Sequence, residues 1–142
     1  MNPTVVENAR PGTHDWLLTR PATQREIEGY ASATSAPRGG TIALYVNTCA
    51  PTFTLEVFRI GWYQGLGARR VFGPVSVAGT AQAEPAMDAE TGLVDCAWVD
   101  PYQLMTGDDW ISGVYLARLA AHDSGAQSYI HFVVRDDERT AD

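Results

Sequence analysis

The stretch FTLEVFRIGWYQGLGARRVFGP (residues 53–74) is the part of the chain that decides the fold class. Apolar and polar side chains alternate from its start, which predicts a strand over residues 53–60 with one buried face. The alternation slips at Phe58, and this slip predicts a β-bulge or a strand that is covered on both faces. Gly65 and Gly67 then permit a tight turn, so the stretch is predicted to be two strands joined by a corner.

The two glycines of this turn also suggest a nucleotide-binding loop, because closely spaced glycines after a strand can cradle phosphates. However, Gly65-Leu66-Gly67 lacks the third glycine of that fingerprint. Gly73-Pro74 would also stop a following helix within one turn. We therefore predict no nucleotide site at this position.

Short segments rich in Val, Ile, Thr, Phe and Tyr recur along the chain, separated by 8 prolines and 13 glycines. Further strands are predicted at residues 27–32, 41–47, 70–72, 93–98, 113–121 and 127–135. Gly125 lies in the turn between the last two, which predicts a hairpin. No helix of useful length is predicted. We expect an all-β fold, an immunoglobulin/fibronectin-III-like antiparallel β-sandwich of about seven to eight strands, with a barrel as the alternative.

The strand limits predict the organisation of the chain. Residues 26–135 are predicted to form the β-sandwich domain, and residues 1–25 an N-terminal extension packed on it or leading into it. Residues 136–142 are predicted to be an acidic tail or linker. Residues 78–92 contain few large apolar groups, so a long surface excursion is expected there.

Charge and composition exclude several classes of protein. The chain has 142 residues and a net charge of −7, which argues against nucleic-acid and anionic-membrane partners. The start of the chain lacks the pattern of a signal peptide, and no apolar run approaches the roughly 18 residues of a membrane span. We therefore expect a cytoplasmic location. Cys49 and Cys96 are not at metal-ligand spacing and are expected to be free, partly buried thiols.

Residues that could carry chemistry are few and scattered. His14, His122 and His131 show no ligand spacing and are expected at the surface or at strand edges. No Gly-x-Ser-x-Gly motif is present, and neither cysteine has a basic residue nearby in sequence. We predict no catalytic residue, no metal ligand and no cofactor, so the chain by itself is not expected to be an enzyme.

The residues around the glycine turn form the candidate interaction surface, which consists of Arg59, Trp62, Tyr63, Arg69 and Arg70. The two aromatics follow a strand, which places them at one end of the predicted sandwich. The arginines are suited to pair with acidic groups across an interface with a catalytic domain or a partner subunit. Loop aromatics can also stack on sugar rings, so carbohydrate binding is the alternative function.

Several motifs resemble a single family. The most specific is RIGWYQGLGAR (59–69), and TGLVDC (91–96), WISGVYL (110–116) and FVVRD (132–136) accompany it. Together they resemble the immunoglobulin-like N-terminal domain of proteins similar to the N,N-dimethylformamidase large (beta) subunit. The resemblance implies that a much larger region with amidase chemistry and an iron centre follows the sandwich. No catalytic or metal residue of that family has a counterpart here, so the resemblance implies a non-catalytic accessory domain that docks on a catalytic region or partner subunit.

Overall fold

A computed structural model of the chain describes residues 3–23, 26–82, 86–87, 94–95 and 98–135. In chain order the elements are α1 (Pro3–Asn8), β1 (Ile27–Ala31), β2 (Ser35–Pro37), β3 (Thr41–Thr48), β4 (Thr52–Ile60), a 3-10 turn (Tyr63–Gly65), β5 (Ala68–Ala78), β6 (Ala86–Met87), β7 (Val94–Asp95), β8 (Tyr102–Met105), β9 (Gly113–Ala121) and β10 (Gln127–Arg135). Two sheets pack face to face, so the predicted all-β sandwich is confirmed.

The larger sheet has five strands in the order β2-β10-β9-β4-β5, and the smaller sheet has three in the order β1-β3-β8. Neighbouring strands run antiparallel, except that β2 runs parallel to β10. The eight strands of the two sheets match the predicted number, and β6 and β7 pair as a separate two-stranded sheet. The hairpin β9–β10 turns at Gly125, whose φ of +75° requires the freedom of glycine.

The core lies between the two sheets. The alternation that predicts β3 and β4 is confirmed, since its apolar positions are buried, namely Ile42, Leu44, Val46, Phe53, Leu55 and Val57. Trp110, Tyr115 and Phe132 stack in series at one end, with ring centroids 5.2 and 5.8 Å apart. Offset aromatic stacking adds to the free energy that area burial supplies. The side chains on the inner faces of both sheets therefore pack in the core. A binding site must lie on the outer faces or in the turns.

The predicted irregularity in β4 is confirmed. The pairing of β4 with β5 shifts register between Leu55 and Val57 and again between Val57 and Phe58. Phe58 faces away from the core and is nevertheless fully buried. The alternation of β4 places Glu56 on the outer face, but only 8% of it is exposed, because two arginines cover it there.

Other differences follow from element length. β5 runs over eleven residues, well beyond the predicted 70–72, and contains the cis peptide Gly73–Pro74. β2 and β8 have three and four residues and were not predicted, because so short a run shows no alternation. Of the predicted strand 93–98, residues 94–95 form β7, and residues 93, 96 and 97 lie outside the described ranges. α1, with six residues, was also not predicted.

Several expectations concern residues outside the described ranges. Cys96, most of the 78–92 excursion and the 136–142 tail all lie there. Cys49 is described, and it is a free and exposed thiol, not a partly buried one, because it lies in the turn between β3 and β4. Among the residues that are described, no helix is both long and apolar enough to span a membrane.

Residues 13–20, here called the N-terminal segment, cross the outer face of the five-stranded sheet from β5 to β10. Thr13 bridges to Ala68 at the start of β5. The Nε1–H of Trp16 donates to the carbonyl oxygen of Leu66 at 3.0 Å, and the Tyr129 hydroxyl donates to the carbonyl oxygen of Trp16. The segment is therefore tied to the sheet at both its ends and in its middle, and it helps to form one of the clefts described below.

Candidate interaction surface

Trp62 is the most exposed of the five residues predicted to form the interaction surface, with 68% of it accessible. It lies just before the 3-10 turn that leads from β4 to β5. The next three residues, Tyr63, Gln64 and Gly65, all have left-handed φ values of 39°, 58° and 88°. Two of them are not glycine, and each such residue costs about 1–3 kcal/mol unless the surroundings hold it in place. The exposed indole therefore lies on a strained turn that needs support.

Tyr63 supplies part of this support from inside the protein. Its side chain is fully buried, and its hydroxyl donates to Oε2 of Glu7 at 2.7 Å. The same hydroxyl accepts a hydrogen bond from Nη1 of Arg59 at 3.1 Å. Glu7 belongs to α1 and is only 3% exposed. A buried carboxylate therefore links the N-terminal helix to the strained turn.

Arg69 completes this buried network. Its Nε donates to Oε2 of Glu7, and its Nη2 donates to Oε1 of the same carboxylate at 3.1 Å. Two parallel bonds between a guanidinium and a carboxylate fix orientation as well as distance. Arg59 in turn donates to the Asn8 side chain at 3.3 Å and to the Ser112 carbonyl at 3.1 Å. We call Glu7, Arg59, Tyr63 and Arg69 the buried network.

The charges of the buried network stabilise one another. Burial alone would raise the pKa of the Glu7 carboxyl, but the hydrogen bonds from Arg69 and Tyr63 outweigh it and hold that pKa below its usual value. Burial and the bond to Glu7 raise the pKa of Tyr63. Burial opposes the charge of Arg69, but the neighbouring Glu7 outweighs it and raises the pKa of Arg69. At neutral pH the network therefore contains an ionised carboxylate and a neutral tyrosine.

The structure brings the five predicted residues together but gives them different roles. Trp62 faces solvent. Arg59 and Tyr63 are buried, so the expectation that they form part of an exposed surface is corrected: they hold the turn from below. Arg69 and Arg70 keep part of their side chains exposed, but they pair with acidic groups of this chain, namely Glu7, Asp15 and Glu56.

Beside Trp62 lies a shallow cavity of about 380 Å³, here called the Trp62 cleft, lined by Val5, Asn8, Ala9, Trp62 and Gln64. Val5 and its neighbour Val6 are exposed on α1. An exposed tryptophan beside exposed aliphatic residues forms an apolar patch on an otherwise acidic chain. This surface is suited to receive an apolar side chain of another molecule.

A second group of aromatics, Tyr30, Tyr45 and Trp98, was not singled out from the sequence. Tyr30 and Tyr45 are directly opposed on β1 and β3, and their rings stack 5.1 Å apart at 18°. Trp98 lies against Tyr30, also at 5.1 Å and tilted by 48°. The sequence signal was available, because Tyr45 is an outward position of an alternating strand. Tyr30 and Tyr45 therefore each have one ring face covered by the other.

The histidines do not form a metal site. Among the residues that the structure describes, no group of three or more His, Cys, Asp or Glu side chains is placed to hold a metal ion. His14, His122 and His131 are all exposed, and the ring nitrogens of His122 bond to the hydroxyls of Thr52 and Thr54 at 2.5 and 2.6 Å. The described residues therefore do not fit the iron centre that the resemblance implies for a larger region.

A family model described as "N,N-dimethylformamidase beta subunit-like, C-terminal" matches residues 54–142, which is more than half of the chain. This confirms the family indicated by the motifs. It also corrects the predicted position within that family, because the matching region is described as C-terminal and not as N-terminal. No curated protein matches the chain.

Several solved structures are distantly similar in fold. A polysaccharide monooxygenase described as CBM33 shares 12% identity, covers 72% of this chain and 59% of its own, and has a TM-score of 0.40. An AA10 lytic polysaccharide monooxygenase from Streptomyces lividans shares 15% identity over 72% of this chain and 58% of its own, with a TM-score of 0.37. Murine CEACAM1b shares 12% identity over 78% and 54%, with a TM-score of 0.31. The chain therefore spans less than two thirds of the length of each.

Proposed function

This chain belongs to the N,N-dimethylformamidase beta subunit-like, C-terminal family, and from this membership we propose that it is a non-catalytic β-sandwich domain that docks on a catalytic region or partner subunit. The observation that carries the proposal is Trp62, an exposed indole on a strained turn that a buried charged network supports. The Trp62 cleft is the proposed point of contact.

The energetics of the turn support a docking role. Burying the carboxylate of Glu7 costs free energy, and the hydrogen bonds of Tyr63 and Arg69 offset that cost. These bonds hold the turn that carries the indole. Tryptophans are enriched among the few residues that dominate binding at protein interfaces. A turn that is already ordered before binding also loses less entropy when a partner covers it.

The same bonds argue against catalysis at this turn. The carboxylate of Glu7 accepts from two other side chains and is buried beneath the turn. Tyr63 is likewise buried and bonded at its hydroxyl. Groups arranged in this way stabilise structure and offer no free acid, base or nucleophile to a substrate.

A binding experiment tests the proposal. The partner is an N,N-dimethylformamidase large subunit expressed without the region homologous to this chain, and affinity is measured by isothermal titration calorimetry. We expect wild-type chain to bind and Trp62→Ala to bind at least about tenfold more weakly, the loss typical of an interface hot spot. The matched control is Val133→Ala, which truncates an exposed side chain on β10 and should leave affinity unchanged.

Two results would contradict the proposal. One is that wild type and Trp62→Ala bind this partner equally, or that neither binds. The other is hydrolysis of formamides by the purified chain, lost on a single substitution in the buried network.

Carbohydrate binding is the second candidate function, and the exposed face of Trp62 favours it. A glycan array probed with wild type and Trp62→Ala separates the two proposals. Binding of a glycan by wild type alone would favour the carbohydrate function. Absence of glycan binding, together with binding to the protein partner, would favour docking.

A further inference from the structure

A second cleft lies on the outer face of the five-stranded sheet and shares no lining residue with the Trp62 cleft. Its volume is about 420 Å³, which is within the range of small-molecule sites. We call it the arginine cleft; it is lined by His14, Asp15, Leu17 and Thr19 on one side and by Glu56, Arg70 and Arg118 on the other. The first group belongs to the N-terminal segment and the second to strands β4, β5 and β9.

The floor of the arginine cleft is a row of charges across three neighbouring strands. Glu56 is directly opposite Arg118 in the pairing of β4 with β9, and Arg118 Nη1 lies 3.1 Å from Glu56 Oε1. On the other side, Arg70 Nε lies 3.0 Å from Glu56 Oε2. Glu56 is therefore one carboxylate shared by two guanidiniums, so the floor carries one positive charge in excess, and Asp15 at the mouth balances it.

Hydrogen bonds hold the N-terminal segment, which forms one wall of the arginine cleft, in place. Gln127 of β10 accepts hydrogen bonds at Oε1 from the backbone of Thr19 and Arg20, at 2.7 and 2.8 Å. Trp16 is bonded through its indole to the turn before β5 and through its carbonyl oxygen to Tyr129 of β10. These bonds hold the N-terminal segment over the sheet at a fixed distance, so the space beneath Leu17 and Thr19 is maintained.

Hydrogen-bond donors in this cleft outnumber acceptors. Each guanidinium carries about five N–H donors, and the carboxylates of Glu56 and Asp15 accept only a few of them. Nε of Arg118 is buried without a hydrogen-bond partner among the described residues. We propose that the arginine cleft binds a small molecule through its carboxylate group, with Arg70 and Arg118 as the donors.

Asp15 shows how such a ligand would be held. Its carboxylate Oδ2 lies 2.9 Å from Arg70 Nη2 at the mouth of the cleft, and 66% of its side chain is exposed. An ion pair so exposed contributes little to stability, so a ligand carboxylate can take its place. Leu17, which is also exposed, offers an apolar wall to the rest of the ligand.

The test uses sodium benzoate as the probe, benzamide as a neutral molecule of the same shape, and inorganic phosphate as a second anion. Binding is followed by the NMR signals of arginine side-chain Nε–H groups and of the N-terminal segment, at constant ionic strength. We expect saturable binding of benzoate only. Arg70→Gln should weaken it by about tenfold or more, the loss expected for one charge-assisted hydrogen bond.

Two further variants distinguish a site from a general charge effect. Asp15→Asn should tighten benzoate binding by roughly two- to fivefold, because it removes the competing exposed carboxylate. Arg10→Gln, with the same charge change as Arg70→Gln on a residue outside the cleft, should leave affinity unchanged. The proposal would be overturned if benzamide bound as tightly as benzoate, if benzoate shifted NMR signals of residues outside the cleft, or if benzoate binding did not saturate. Phosphate that binds as tightly as benzoate would overturn the restriction to carboxylates.

Discussion

Replacing Glu7 with glutamine removes the charge from the buried network while keeping the shape of the side chain. The glutamine nitrogen would then face donors on Tyr63 or Arg69 instead of accepting from them. Removing one partner of a fully buried ion pair costs about 3–5 kcal/mol. Arg69 keeps one-fifth of its side chain exposed, so water solvates it in part. We therefore expect a loss of about 3 kcal/mol in the free energy of unfolding, at the lower end of that range.

Urea unfolding measures this loss. With a slope of about 2 kcal/mol per molar urea, the midpoint should fall by about 1.5 M. Arg10→Gln is the matched control, because Arg10 is half exposed and its Nε lies 3.7 Å from the same carboxylate. The control should change stability by less than about 1 kcal/mol, as exposed ion pairs do. A Glu7→Gln protein as stable as wild type would refute the structural role of the network.

The pH dependence of the same comparison is a stricter test. The folded-state pKa of Glu7 lies below the ordinary value of a glutamate side chain, because Arg69 and Tyr63 bond to its carboxylate. The ionised carboxylate therefore stabilises the fold fully at pH values above that ordinary value, and this contribution disappears as the pH falls through the lower folded-state pKa. The stability difference between wild type and Glu7→Gln should be constant near neutral pH and shrink in acid. A difference that grows in acid would contradict the assignment.

Three further substitutions probe the supports of the two clefts. Tyr63→Phe removes the bond to Glu7 and should cost about 1–3 kcal/mol in urea unfolding; an unchanged midpoint would argue against that bond. Gly67→Ala should cost about 1–3 kcal/mol in thermal unfolding, because its φ is +93° and a Cβ would lie 2.9 Å from Cζ2 of Trp16. Tyr129→Phe frees the Trp16 carbonyl oxygen and should speed hydrogen exchange in the N-terminal segment, with a loss of about 1 kcal/mol. Exchange at the wild-type rate would show that the other bonds suffice.

Hydrophobic periodicity predicted the strands that have one buried face and enough length to show it. β3 and β4 have eight and nine residues, and their alternation marks the inward side chains correctly. β2 and β8 could not be predicted from alternation because they are too short to show it. β2 also pairs with β10, which is far away in sequence. The slip at Phe58 was informative because a bulge changes the period inside a single strand.

The candidate site was predictable only in its position. The glycines locate the turn and therefore Trp62, because Gly65 and Gly67 adopt left-handed φ values that glycine takes up readily. The partners of the turn were not predictable, because Glu7 is 56 residues from Tyr63 and 62 from Arg69. The sequence contains 17 acidic residues, and no pattern in it distinguishes Glu7 as the one that lies beneath the turn. Burial of Arg59 and Tyr63 follows from that long-range contact and could not be predicted without it.

The arginine doublet at the start of β5 shows why the two clefts are separate sites. Adjacent positions of a strand point to opposite faces, so Arg69 and Arg70 diverge although the sequence presents them as one basic patch. Arg69 reaches the buried carboxylate of Glu7 beneath Trp62. Arg70 lies over the Phe58 ring at 5.7 Å and pairs with the acids of the arginine cleft. The first arginine therefore supports the turn of the proposed docking surface and the second lines the proposed small-molecule site, so a substitution of both would confound tests of the two proposals.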